Sequence, residues 1–182
     1  MQIYPETYYH IYNRTNNNEQ LFKSGENYLY FLHKYRQHLK PLVETLAYCL
    51  MPTHFHFLVY IKSQNTDLIC RKIGIWLSSY TKAINNAYQR HGSLFQRHTK
   101  AKAIEDESYL LTLVTYIHQN PVRKELVTKL EDWPFSSYTD YIGIRQGSLP
   151  NCEIIKSRFD STEDFKDFSE KLISEIDERY WV

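Results

Sequence analysis

Two runs rich in strand-forming residues, 43–50 and 54–62, are separated only by Met51-Pro52-Thr53. Three residues suffice for an antiparallel hairpin, whereas a parallel pair needs a crossover of about a dozen residues or more. The pattern on either side of this hairpin fixes the rest of the order. Residues 7–14 alternate and are rich in Tyr and Ile, as a strand does. Residues 26–40 place Tyr28, Phe31, Leu32, Tyr35 and Leu39 at helical spacing before Pro41. Residues 67–90 set Ile69, Ile73, Trp76, Leu77, Tyr80, Ile84 and Ala87 in one apolar stripe that Gly92 is expected to end. A basic strand over 94–104 follows, then a third helix over 107–119, with Asn120-Pro121 as its stop signal.

The order β-α-β-β-α-β followed by a helix predicts an α+β fold. It is the split β-α-β arrangement of ferredoxin-like domains, an antiparallel sheet with helices on one face. The connector Asp132-Trp133-Pro134-Phe135-Ser136-Ser137-Tyr138 should be ordered by its aromatic side chains, and Phe165, Phe168, Leu172 and Ile176 mark a terminal amphipathic helix. Residues 1–143 are therefore read as the principal domain and 144–182 as an acidic helical extension packed on it. The 182 residues include 16 Tyr, 9 Phe and 3 Trp, side chains that supply core volume and also flat faces on which bases stack.

Charge is unevenly placed. Residues 1–100 carry 12 Lys/Arg against 5 Asp/Glu, and residues 101–182 carry 10 against 16. A basic face suited to a phosphate backbone is thus expected on the first part, although solvated surface gives the same pattern. No apolar run has the length of a signal peptide core or a membrane span. Cys49, Cys70 and Cys152 are odd in number and form no C-x-x-C pair, which fits reduced thiols; the expected location is the cytoplasm.

The motif His54-Phe55-His56 carries the first chemical signal, because strand alternation puts both imidazoles on one face. Such a pair can chelate a divalent ion and leave positions for an oxygen ligand, water and a phosphate. Hydrogen-bonded or surface histidines produce the same spacing. On the third helix, Tyr116 and Asn120 lie one turn apart and share a face, offering a phenol and a carbonyl oxygen. A phenol with a pKa of about 10 is a poor nucleophile at neutral pH, and attack on a phosphodiester needs the phosphate's charge neutralised. A cation held by His54, His56 and Asn120 would supply that. A half-buried packing role for Tyr116 fits its spacing equally.

These residues resemble a known family. His54-Phe55-His56 is similar to the His-hydrophobic-His motif of the single-tyrosine HUH transposases, and Tyr116-Ile117-His118-Gln119-Asn120-Pro121-Val122-Arg123 to the helix bearing their nucleophile. The branch it resembles is the REP-associated tyrosine transposases and the related IS200-like transposases. Further matches are Tyr9-His10-Ile11-Tyr12-Asn13-Arg14, Gly92-Ser93-Leu94-Phe95-Gln96-Arg97 and Trp133-Pro134-Phe135-Ser136-Ser137-Tyr138, and together they span residues 8–143. The resemblance implies a metal-dependent single-stranded DNA endonuclease and strand transferase, in which Tyr116 attacks to give a 5′-phosphotyrosine and a free 3′-hydroxyl. It implies Mg²⁺ or Mn²⁺ on His54, His56 and Asn120, a hairpin-bearing single-stranded DNA as substrate, and a homodimer as one assembly. Arg14, Arg97, Lys100, Lys102, Arg123 and Lys124 are the candidate DNA contacts, solvated charge being their other reading.

The chain departs from the family pattern at Thr15, where Gly is common, at Thr53, where Asn is common, and at Phe95, often Trp. None of these is in the proposed site. The rival is a non-catalytic DNA or RNA hairpin-binding module on the same sheet. Histidine-triad hydrolases would need a third His where Leu58 stands, and two-histidine phosphodiesterases a second His-x-Ser/Thr on another strand; neither is present.

Overall fold

The computed structural model describes residues 2–106 and 109–171. Strands β1 (Tyr8–Arg14), β2 (Val43–Met51), β3 (His54–Ile61) and β4 (Lys100–Ile104) form one sheet in the order β2-β3-β1-β4. Every neighbouring pair is antiparallel. Met51 pairs with His54, so the hairpin loop is Pro52-Thr53 alone. Helices α1 (Gly25–His38) and α2 (Thr66–Tyr88) make the two crossovers. The ferredoxin-like order expected from the sequence is therefore present.

Alternation along the strands separates two cores. Tyr9, Ile11, Phe55, Phe57 and Val59 point to one face, where they meet Phe31 and Tyr35 of α1 and Ile73, Trp76 and Tyr80 of α2. Trp76 sits at its centre, with ring centroids 4.6 Å from Phe31 and 5.1 Å from Tyr35 and Phe55. Its indole N–H donates to the Phe31 carbonyl, which meets the one polar demand of this large apolar ring. Much of the aromatic content is thus core.

The expectation of helices on one face holds for α1 and α2. Helix α3 (Tyr109–Arg123) lies on the opposite face, where Leu110, Leu113, Val114 and Ile117 pack on Leu46, Ala47, Cys49, Met51 and Leu58. The apolar stripe of α3 was legible in the sequence, but a stripe does not say which side of a sheet it covers.

Three boundaries differ from expectation. The fourth strand begins at Lys100, because residues 94–99 form a loop that buries Leu94 and Phe95 and meets the end of β1 through an isolated Thr15–Phe95 bridge and a Gln96 N–H donating to the Arg14 carbonyl, not through a strand ladder. Helix α2 ends at Tyr88 and is capped by Gln89, not Gly92: Gln89 takes the left-handed conformation at φ 51°. Arg90 and Asn85 stabilise this turn, the guanidinium donating to Asn85 Oδ1 at 2.6 Å and the Asn85 amide to the Gly92 carbonyl at 2.9 Å. Helix α3 runs through Pro121 to Arg123. Proline there forfeits one ladder hydrogen bond; residues 117–121 are all buried, and that packing outweighs the loss. The expected start of this helix, Glu107, lies outside the described residues.

The aromatic connector is ordered as expected. Ser136 pairs with Cys49 at the edge of β2, Trp133 Nε1 donates to the Leu50 carbonyl at 3.0 Å, and Phe135 stacks on Tyr28 at 3.7 Å. Short helices α4 (Tyr138–Tyr141) and α5 (Glu153–Lys156) lead to α6 (Thr162–Glu170). Phe165 of α6 enters the α3 core, and the Gln119 amide donates to the carbonyls of Ser169 and Lys171 at 2.7 and 2.8 Å. Leu172 and Ile176 of the expected terminal helix lie outside the described residues.

Candidate active site

Strand alternation in β3 sends Phe55 and Phe57 into the aromatic core and turns His54 and His56 towards the α3 face. The two imidazoles stand at 84° to one another, centroids 5.2 Å apart. In the neighbouring strand, Arg14, Tyr12 and His10 lie across from His54, His56 and Leu58 on that face. Tyr12 flanks His56 at 6.2 Å. His10 stacks on it at 5.2 Å and 15°, with a 2.9 Å hydrogen bond between His10 Nε2 and His56 Nδ1.

Helix α3 closes the site. Tyr116 is half-buried at the rim of the helix's apolar stripe, its ring 6.0 Å from that of His56 and at 82° to it. One turn on, the Asn120 amide N–H donates to the Tyr116 carbonyl at 2.9 Å, which leaves Oδ1 as its other end. At the last turn, the Arg123 guanidinium lies 5.7 Å over the Tyr116 ring. The continuation of α3 through Pro121 keeps Asn120 and Arg123 on the Tyr116 face. A single chain thus brings Tyr116, Asn120, His54 and His56 together.

Burial dominates the electrostatics. It holds His56 well below its ordinary pKa, with His10, His54 and Arg14 adding to the effect, and lowers His54 to about 4, assisted by Arg14 and Lys124. Both imidazoles are therefore neutral at pH 7, the form that ligates a metal. Burial also raises Tyr116, and Arg123 and Arg14 oppose it. No carboxylate contributes to the shifts of His10, His54, His56 or Tyr116. Among the described residues, the charges that act on the phenol are the cations Arg123 and Arg14, a field that attracts phosphate.

A divalent cation fits these residues. His56 Nε2 is buried and has no hydrogen-bond partner, while its Nδ1 is engaged by His10. His54 Nδ1 is likewise engaged, by Thr53 Oγ1 at 3.0 Å. Each ring thus has one nitrogen held and one for a ligand, the usual arrangement of metal-binding histidines. Among the described residues no three His, Cys, Asp or Glu side chains gather as a metal site. A cation here would combine two imidazoles with an amide oxygen and carry its full charge.

Of the candidate DNA contacts, five lie around this face. Arg14, Arg123 and Lys124 act on the site's ionisations, and Lys102 and Lys100 pair with His10 and Tyr12 across the β1–β4 ladder. Arg97 stands apart on the other side of the sheet. It lines a groove of about 1030 Å³ with Lys82, Asn85, Gln89 and Phe95. His10 and Tyr12 enter the sequence reading only as part of the 9–14 motif and carry no site role there. The signal was present, since alternation over residues 8–14 puts them on one face with Arg14, and only the strand order makes that face adjacent to the histidine pair.

Comparison with known proteins follows this geometry. No family model matches the chain. A curated Haemophilus influenzae protein, provisionally described as a REP-associated tyrosine transposase, is 29% identical over 104 residues, 52% of this chain and 58% of that protein. The chain therefore spans less than two thirds of this relative's length. A solved structure described as a REP-associated tyrosine transposase bound to a REP hairpin superposes with a TM-score of 0.64 at 20% identity, covering 79% of this chain and 84% of that one. The resemblance read from the motifs is borne out by both, and the fold is that of the solved structure.

Proposed function

We propose that this chain is a REP-associated tyrosine transposase, a metal-dependent enzyme that cleaves and rejoins hairpin-flanked single-stranded DNA through a 5′-phosphotyrosine. The observation that carries this reading is the placement of Tyr116 against His56, 6.0 Å between ring centroids, in a field of cations. The relatives' descriptions, one naming the family and one a bound hairpin, support it.

Tyr116 Oη attacks the scissile phosphorus, the Tyr–O–P bond forms, and the bond to the 3′-oxygen breaks. The phenol proton passes to solvent water as the bond forms, and the leaving 3′-oxygen takes a proton from solvent to become a hydroxyl. Arg14 and Arg123 stabilise the developing phenolate and the phosphate against the cost of burial. His54 and His56 through Nε2, with Asn120 through Oδ1, would hold Mg²⁺ or Mn²⁺. When bound, that ion supplies Lewis-acid neutralisation of the phosphate charge. Because the tyrosyl ester retains the phosphodiester's energy, attack by a new 3′-hydroxyl reverses the step and joins strands. Lys100, Lys102 and Lys124 grip flanking phosphates, and Arg97 serves the groove beside α2. Tyr116 beside His56 of the same chain supports a site supplied by one chain, with a homodimer as one assembly. DNA as substrate accords with the cytoplasm; no helix of the described residues is long and apolar enough to cross a membrane.

The test is covalent trapping with labelled single-stranded hairpin DNA and Mn²⁺. An SDS-resistant adduct that Tyr116→Phe abolishes supports the reaction and its nucleophile. An adduct that survives moves the nucleophile elsewhere, and tight hairpin binding with no adduct favours the binding-only module.

A further inference from the structure

His10 is a fully buried titratable side chain of this face, in contact with His56, that the reaction above does not use. Its ring is 0% exposed, it stands in β1, and its Nε2 lies 2.9 Å from His56 Nδ1. The two rings stack at 15°. Among the described residues no other hydrogen bond reaches either ring, since His10 Nδ1 and His56 Nε2 are both buried without a partner.

A hydrogen bond between two neutral imidazoles holds one proton, and there are two ways to place it. If His10 Nε2 carries it, His56 Nδ1 accepts, and the remaining proton of His56 must sit on Nε2, which then has no lone pair to offer. If His56 Nδ1 carries it, His10 Nε2 accepts and His56 Nε2 is bare. Only the second arrangement gives His56 a metal-binding nitrogen. We propose that His10 is a positioning residue whose Nε2 accepts the His56 Nδ1 proton, fixing His56 in the tautomer and ring orientation that present Nε2 to a divalent cation.

Second partners of metal-binding histidines are commonly carboxylates or backbone carbonyls. A neutral imidazole in that place adds no negative charge, so a cation held there would keep its charge for the substrate phosphate. Arg14 and His54 face the His56 ring as well; Arg14 carries no acceptor, and His54 Nδ1 is engaged by Thr53.

The inference rests on the reading of His54 and His56 as cation ligands, and two measurements keep their fates apart. The first needs no variant and no metal: ¹⁵N-edited NMR of the imidazole rings in the wild-type protein reports the His56 tautomer. A proton on Nδ1 is expected, and a proton on Nε2 overturns the role of His10 whatever the metal does. The second is Mn²⁺ affinity by calorimetry on the wild type, His10→Phe, His10→Gln and His56→Ala. His10→Phe keeps a ring and removes the acceptor, and should weaken Mn²⁺ binding about 10- to 100-fold. His10→Gln, whose amide oxygen can accept, should recover most of the loss. Wild-type affinity in His10→Phe overturns the proposal. Equal Mn²⁺ binding by the wild type and His56→Ala refutes the metal reading, and the tautomer then decides on His10 alone.

Discussion

His118 should make the stability of this fold fall steeply on mild acidification. The residue sits in α3 two positions after Tyr116, fully buried, with Nε2 sharing a 2.8 Å hydrogen bond with Ser137 Oγ. Its ring lies among Tyr138, Tyr141 and Phe165, at centroid distances of 5.6, 5.1 and 6.3 Å. Burial alone pulls its pKa from 6.5 to about 3. Above pH 6.5 neither the folded nor the unfolded chain protonates it, and its contribution to stability is fully present. Between pH 6.5 and about 3 only the unfolded chain binds the proton, so stability is lost as the pH falls. The slope is about 1.4 kcal/mol per pH unit, and at pH 5 the loss reaches about 2 kcal/mol. Urea unfolding of the wild type and of His118→Gln at pH 7.5 and 5.0 isolates this amount. The other buried histidines titrate in both proteins and cancel in the difference. The wild type should lose about 2 kcal/mol more than the variant, or about 4–8 °C in Tm for a chain of this size. Equal losses in the two proteins would refute the reasoning. The consequence reaches the site, because Ser137 is also bonded to the backbone of Tyr48, so His118 ties the Tyr116 helix to β2.

Three further outcomes are expected. Asn120→Ala should lower Mn²⁺ affinity and DNA cleavage together, and unchanged Mn²⁺ affinity would remove Asn120 from the ligand set. Lys100→Ala and Lys102→Ala should each weaken hairpin DNA binding and reduce the slope of log affinity against log salt by about 1, read by titrations at several salt concentrations; an unaltered slope would place the DNA away from β4. Gln119→Ala leaves the Ser169 and Lys171 carbonyls without their donor, at a cost of about 1–3 kcal/mol. Hydrogen exchange in α6 should then quicken, and unchanged protection would show that Phe165 alone anchors the helix.

The sequence by itself determined the hairpin, since a three-residue connection between two strand-forming runs is too short for a parallel crossover, and with it the β-α-β-β-α-β order. It also determined that His54 and His56 share a face and that Tyr116 and Asn120 share another, because periods of 2 and 3.6 residues are local properties. What the alternation could not reveal is which faces meet. The docking of α3 on the side of the sheet opposite α1 and α2 is decided by burial over the whole chain, by Leu110, Leu113, Val114 and Ile117 against Leu46, Leu58 and Met51. That docking converts two separate pairs into one site. The persistence of α3 through Pro121 was likewise illegible, because a local rule that costs one hydrogen bond was overridden by the burial of residues 117–121. His10 remained hidden for the same reason: 46 residues separate it from His56, and only the β2-β3-β1-β4 strand order puts their rings in contact.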